Sequence, residues 1–224
     1  GYIIDISPYR KESGVFTAEI EEDLSRRDFT INAIADSPYR TVDPYNGRED
    51  LKSRLIRTVG EPIDKFKKKP IRMLSAIRLA AELGFDLHKS VYEAIVNHYE
   101  LLESEEIGKI RGEFSKIISS SHAGKGLSMI MDTGILNVIL GKDVVPKLTR
   151  REMSDLTVLC QNIDKTHRVK DRRLGLFYTC MDKKKALSSI EKLGFDGDTY
   201  QHLVDAACDM AKLYFLAQKP NLKK

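Results

Sequence analysis

Ile71-Arg72-Met73-Leu74-Ser75-Ala76-Ile77-Arg78-Leu79-Ala80-Ala81-Glu82-Leu83-Gly84 is the stretch that decides the architecture. Ile71, Leu74, Ile77 and Ala81 recur at helical spacing and form one apolar face. Arg72, Ser75 and Arg78, at i, i+3 and i+6, form a separate polar stripe. Pro70 suits a first helical turn and Gly84 a left-handed C-terminal cap, so a helix is predicted from residue 70 to about residue 83. Taken alone, the stripe is either an ordinary solvated face or a pair of guanidiniums able to hold a nucleotide's phosphates or base edge.

This helix divides the chain. Before it, strand and turn signals dominate: 3–7, 41–42 and 55–59 read as strands by their β-branched content. Residues 29–35 read as a short helix with Ser25 as a possible N-cap and Asp28 as first-turn charge. Asp43-Pro44-Tyr45-Asn46-Gly47 is a turn, with a helical turn or two over 48–53. After residue 60 the 3.6-residue period takes over. Helices are predicted at 107–118, 124–133, 152–163, 173–181, 184–193 and 199–218, with Ser90-Val91-Tyr92-Glu93 as a capping box opening another. Leu83-Gly84-Phe85 and Leu193-Gly194-Phe195 both read as glycine-capped helix ends. The fold class is α+β, a partial mixed-sheet piece followed by a long helical part.

Composition bounds the function. The 224 residues are 42% apolar and 31% charged, enough for a core, and suit one or two domains. Lys and Arg number 37 against 33 Asp and Glu; the net +4 permits an anionic partner without demanding one. No run approaches a membrane-spanning length, and the first residues lack the pattern of a signal peptide. Three widely spaced cysteines, Cys160, Cys180 and Cys208, fit a reduced, cytoplasmic protein without a zinc pattern. None of the five histidines is followed by Asp, which excludes a phosphohydrolase of the His-Asp type. The strand at 3–7 has no earlier segment to pair with, so an earlier part of its domain is expected before residue 1.

Two further clusters could carry chemistry. Ser25-Arg26-Arg27-Asp28-Phe29-Thr30-Ile31-Asn32-Ala33 puts two guanidiniums where a phosphate could sit; the alternative is surface pairing with Glu21, Glu22 and Asp23. Lys65-Phe66-Lys67-Lys68-Lys69 is either a solvated run or a sequence-independent RNA contact.

These blocks carry a resemblance. Arg26 to Ala33, then Asp43-Pro44 with Gly47 and Asp50-Leu51, then Ile56-Arg57-Thr58-Val59-Gly60, then Ile71-Arg72-Met73-Leu74 with Ala76-Ile77-Arg78 and Ala80 to Phe85, follow the order and spacing of the bacterial class II CCA-adding tRNA nucleotidyltransferase and poly(A) polymerase family. Ile110-Arg111 with Glu113-Phe114 and Thr133-Gly134 extend the likeness, which is strong over about residues 1–140. It implies the end of a catalytic head over 1–60, a neck that reads the nucleotide base over 61–145, and an RNA-binding body over 146–224. It implies Mg²⁺-dependent transfer of CMP or AMP from CTP or ATP to an RNA 3′ end, most naturally that of tRNA. Arg26, Asp28 and Asn32 match the ribose- and triphosphate-handling block; Arg72 matches the base-reading Arg and Arg78 a later Arg of that face. Asp5 falls where the head carries an additional carboxylate, and Lys67, Lys68, Lys69 and Arg111 are candidate RNA contacts.

Departures from the pattern are informative. The family's metal-binding Asp-x-Asp would precede residue 1, so no metal ligand is assigned within this sequence. The spacing around Ser13-Gly14-Val15-Phe16 is short. Where the family carries Glu-Asp in the neck this chain has Lys68 and Lys69, and Ser75 replaces an Arg. Lysine can only donate to a base, so either base selection differs or the chain is an RNA-binding relative without catalysis. Addition of CCA and of poly(A) share these blocks.

Overall fold

The computed structural model describes residues 19–195 and 202–203. The strand at 3–7, Asp5, the short spacing near Ser13, Cys208 and the body of the helix predicted at 199–218 lie outside the described residues.

The chain opens with helix α1 (Ile20–Ser25), a 3-10 turn (Thr30–Asn32) and strands β1 (Ala35–Asp36) and β2 (Thr41–Val42), antiparallel with Ala35 opposite Val42. Helix α2 (Gly47–Ser53) and strand β3 (Leu55–Ile56) follow. Then come α3 (Pro62–Lys68), α4 (Arg72–Leu83), strand β4 (Asp86–Leu87) and α5 (Lys89–His98). The remainder is helical: α6 (Ile107–Ser119), α7 (Ala123–Asp132), α8 (Leu136–Leu140), α9 (Arg150–Asn162), α10 (Lys170–Thr179) and α11 (Lys183–Lys192). β3 and β4 run parallel, with Leu55 opposite Asp86, so the strand before the helical part pairs with the strand after α4. This is an α+β architecture in which, among the described residues, the strands all lie between Ala35 and Leu87.

α4 is the central element. Met73, Leu74, Ala76, Ile77, Ala80 and Ala81 are all buried, and α6 and α7 pack on it. Their apolar side chains continue one core from Phe29 and Ile56 through Phe66, Phe114 and Ile130 to Phe177 and Leu193. Burying such side chains is worth ~1.5–3 kcal/mol each before conformational entropy is counted. A smaller cluster, Leu24, Ala33 and Val59, closes the first part. Gly84 ends α4 with φ +73°, and Phe85 N donates back to Ala80 O, a Schellman-type close. Gly194 does the same for α11, with Phe195 N on Ile190 O.

Several predicted elements are corrected. Residues 29–35 are not a helix, and Ser25 does not open one. Ser25 ends α1, its Oγ donating to Glu22 O, and α1 forms because Glu21, Glu22 and Asp23 crowd its positive end. Phe29 is extended and bridges Thr58, while Thr30 N donates to Arg57 O and Val59 N to Asp28 O. These long-range bonds override the local helical pattern. Ser90 is not an N-cap: His88 is, its Nδ1 accepting from Ser90 N. The helix predicted from 173 begins at Lys170. The lysine run belongs mostly to α3, with Pro62 in its first turn and Phe66 fully buried.

Two tight points yield predictions. A Cβ on Gly124 would lie 1.9 Å from Cys160 O, so α7 and α9 meet backbone to backbone there. Gly124→Ala should therefore cost ~1–3 kcal/mol, read as a lowered thermal midpoint; an unchanged midpoint contradicts the close approach. Glu152, in a capping box with Thr149, also accepts from Asp182 N (2.8 Å) and Lys185 Nζ (2.7 Å), joining α9 to α11. Burial alone would raise its pKa, but Lys185 and the backbone amides hold it at about 2. The folded value is depressed, so this stabilisation is complete above the unfolded carboxyl's pKa and is lost as pH falls from there through about 2. Glu152→Gln should flatten the pH dependence of stability in that window, as urea unfolding at several pH values would show.

Candidate functional site

The junction of α1, the segment after β3, α3 and the start of α4 encloses a cavity of about 420 Å³. Ser25, Arg26, Val59, Gly60, Glu61, Asp64, Lys65, Lys68 and Arg72 line it. Gly60, with φ +76°, turns the chain from the β3 side into α3. Glu61, Asp64, Lys65 and Lys68 sit at i, i+3, i+4 and i+7, so one face of α3 forms a wall. Buried Phe66 fixes that face by anchoring the opposite side of the helix.

Arg26, Arg27, Lys65 and Arg72 are each held. Asp23, buried at 7% exposure, pairs with Arg26 (3.0 Å) and with Arg27 (2.7 Å). The surface-pairing reading of this block thus holds in part, while Arg26 also reaches the cavity. Lys65 Nζ donates to Arg27 O (3.0 Å) and Ser25 O (3.4 Å), closing the C-terminal end of α1. Arg72 Nε lies 2.6 Å from Asp28 Oδ1, and its Nη1 donates to Lys65 O (3.1 Å). Glu105 Oε1 accepts from Ile71 N (3.0 Å) and secures the start of α4. A buried tie sets the first part: Asp50 accepts from Thr30 Oγ1 (2.7 Å) and from Arg57 Nε.

The cavity therefore presents four cationic side chains, Arg26, Lys65, Lys68 and Arg72, and two carboxylates, Glu61 and Asp64. Such a mixture suits an anionic ligand that also carries donor groups. Guanidiniums fix phosphate oxygens in forked geometry, lysines add point charge, and carboxylates accept from amino or hydroxyl groups.

The residues singled out from the sequence distribute unevenly. Arg26, Arg72 and Lys68 come together at the cavity, and Asp28 joins them through Arg72. Asn32 is exposed on the 3-10 turn and is not among the lining residues. Arg78 is two turns further along α4. It pairs with Glu113 (2.8 Å) and Glu82 (2.7 Å), tying α4 to α6 rather than lining the cavity. Burial opposes the charge on Glu113, yet hydrogen bonds from Lys116 and Arg78 hold its pKa below the usual carboxyl value. Arg111 donates to Leu193 O and Gly194 O and lies 5.4 Å from the Phe195 ring, joining α6 to the end of α11. Lys67 and Lys69 are exposed and do not line the cavity. Sequence reasoning misses Glu61 and Asp64 as site residues and reads Lys65 only as part of a basic run that could meet RNA. The signal that could find them is Pro62 as a helix start, with the i, i+3, i+4, i+7 pattern opposite Phe66. Among the described residues, no three His, Cys, Asp or Glu side chains come together to hold a metal ion. The described residues thus do not themselves fit the Mg²⁺ site implied by the resemblance.

Comparison with known proteins agrees with these blocks. Residues 4–57 match a family described as the poly A polymerase head domain. Residues 84–149 match one described as a probable RNA and SrmB-binding site of polymerase A. The CCA-adding enzyme of Geobacillus stearothermophilus is 41% identical over 133 residues, 58% of this chain and 33% of that protein. That of Geobacillus kaustophilus is 34% identical over 177 residues, 73% of this chain and 43% of that protein. The chain thus spans about a third to two-fifths of the length of these relatives. The crystal structure of the Bacillus stearothermophilus CCA-adding enzyme in complex with CTP superposes with a TM-score of 0.73 at 26% identity, covering 92% of this chain and 51% of that one. With two family descriptions in sequence order and the same fold over nearly its whole length, the chain belongs to the bacterial CCA-adding tRNA nucleotidyltransferase and poly(A) polymerase family.

Proposed function

We propose that this chain is part of an RNA nucleotidyltransferase that adds CMP and AMP to the 3′ end of tRNA. The observation that carries the reading is the convergence of Arg26, from the first part of the chain, and Arg72, from the first long helix, on one cavity. In this reading residues 1–60 belong to the head, 61–145 form the neck and 146–224 the body. CTP and ATP are the substrates, the tRNA acceptor end is the partner, and the enzyme works in the cytoplasm.

The residues at the cavity have separate tasks. Arg26, Lys65 and Lys68 neutralise the triphosphate. Arg72, paired in charge with Asp28 and held at Nη1 by Lys65 O, offers its guanidinium to the base from a fixed position. Fixing the donor beforehand lowers the entropy lost on binding. Asp28 is thereby a positioning residue, and Asn32, on the adjoining turn, reaches the ribose only if the substrate extends past the cavity. Mg²⁺, when bound in the whole enzyme, supplies charge stabilisation for phosphoryl transfer. Asp5 is proposed as an additional carboxylate of the head. Lys67, Lys69 and Arg111 are proposed to meet RNA phosphates, Arg78 to brace the neck.

A second reading, a non-catalytic RNA-binding relative, is favoured by one observation: Lys68, at the cavity, can only donate where the family pattern has a carboxylate. The test is incubation of the full-length gene product with Mg²⁺, tRNA lacking its terminal CCA and labelled CTP or ATP. Incorporation of both is expected. Incorporation of AMP alone, in runs, would mean poly(A) addition. Folded protein that binds RNA but incorporates neither would establish the second reading.

A further inference from the structure

Lys65 touches both cationic walls of the cavity. α1 ends at Ser25, and the carbonyls of a helix's last turn have no donor within the helix. Two oxygens at this end, Ser25 O and Arg27 O, flank Arg26, and Lys65 Nζ donates to both, at 3.4 and 3.0 Å. A cation there also meets the negative end of the helix dipole. Asp23 meanwhile holds the Arg26 guanidinium from within α1 (3.0 Å). On the other side, Lys65 O accepts from Lys69 N (3.1 Å), closing α3, and from Arg72 Nη1 (3.1 Å) at the start of α4. The side chain of Lys65 thus pins the backbone around Arg26, and its carbonyl pins the guanidinium of Arg72. Lys65 itself is half-buried, and its neighbour Phe66 is fully buried, so α3 cannot rotate to release it without opening the core.

We infer that Lys65 is a positioning residue that sets the separation of Arg26 and Arg72 across the cavity before a nucleotide arrives. This rests on the reading of the cavity as a nucleotide site, and it gives Lys65 a task beyond the charge it adds there. An ammonium has three donors, and Ser25 O and Arg27 O engage two of them. A nucleotide that meets Arg26 through its phosphates and Arg72 through its base needs the two arginines at one spacing. In a loose site it would have to order both walls on binding, at a cost in affinity. Inorganic tripolyphosphate has no base to offer Arg72, so it gains little from that spacing.

The experiment is equilibrium dialysis of the full-length protein without RNA, with ATP, CTP and inorganic tripolyphosphate as probes. Lys65→Met keeps most of the side chain's length and removes its donors and charge. It should bind ATP and CTP about tenfold more weakly than wild type, but tripolyphosphate no more than about threefold, since one partly screened charge is lost. Lys65→Arg keeps a cation and donors for both carbonyls, and should stay within about threefold of wild type for all three probes. In a double-mutant cycle the losses should overlap: once Arg72 is alanine, Lys65→Met should weaken ATP by no more than about threefold further, because no second wall is left to position. Lys65 lies outside the apolar core, so the variants should melt within a few degrees of wild type, which separates positioning from unfolding. Lys65→Met weakening nucleotide and tripolyphosphate equally, leaving ATP and CTP binding unchanged, or multiplying with Arg72→Ala overturns the inference while leaving the nucleotide site standing. Wild type binding neither ATP nor CTP overturns both.

Discussion

Arg173→Met should lower the thermal midpoint by about 6–20 °C, the largest stability loss expected of a single substitution here. Arg173 is fully buried. Its Nη1 donates to Ile118 O (3.1 Å) and Ser120 O (2.8 Å), its Nη2 to Thr166 O (2.9 Å) and its Nε to Thr166 Oγ1 (3.2 Å). The first two acceptors are at the C-terminal end of α6, where unpaired carbonyls and the negative end of the helix dipole favour a cation. Methionine fills similar space but donates nothing, so three carbonyls are left without a donor in a dry interior. Leaving buried polar groups unsatisfied costs ~1–3 kcal/mol each, and a loss of ~3–5 kcal/mol is a large share of the ~5–15 kcal/mol that folds a domain. For a chain of this size each kcal/mol moves the midpoint by about 2–4 °C. A midpoint within 3 °C of wild type would mean that the carbonyls find other donors and that Arg173 does not hold α10 against α6.

Arg72→Ala should weaken binding of CTP and ATP by about tenfold to a hundredfold and leave RNA affinity within about twofold. The substitution removes one charge-assisted hydrogen bond to the nucleotide, worth ~1.5–3 kcal/mol. It also releases Asp28, whose side chain is 37% exposed and can rehydrate. In the proposed reading RNA affinity rests mainly on phosphate contacts away from the cavity, which this change does not touch. Selection among the four nucleotides should suffer more than their average affinity, because a base-edge contact specifies and phosphate contacts position. Arg72→Lys should not restore it, since an ammonium lacks the planar, spread donors with which the guanidinium faces Asp28, Lys65 O and a base edge in fixed directions. Competition binding with labelled nucleotide and, separately, with tRNA measures both quantities. Equal weakening for nucleotide and RNA, or equal weakening for all four nucleotides, would count against Arg72 as the base contact.

The helical part is readable in the sequence because its signals are local. Apolar spacing and a terminal glycine set α4 and its close at Gly84, and Asn46 and Gly47 mark the turn into α2. Sequence reading fails where distant residues decide. Phe29 is extended because Thr58 pairs with it across the chain, and nothing in the pattern from Phe29 to Ala35 announces that partner. The α8 helix is too short to show a period, and His88 escapes notice as a cap because Ser90 is the commoner capping residue. At the site the arginines are legible from the order of the blocks. Their convergence is not, because it depends on the Gly60 turn and on the angle at which α3 meets α4. The α3 wall runs from Glu61 into a lysine run whose single aromatic, Phe66, reads as an interruption instead of an anchor.

Photolabelling tests the central claim most directly. The full-length protein would be irradiated with an azido-adenosine triphosphate, and the labelled peptides identified by mass spectrometry. The account predicts label on the segment between Val59 and Arg72 or beside Arg26, suppressed by excess unlabelled ATP or CTP. Specific label confined to other parts of the chain, with this segment unmarked, would contradict it.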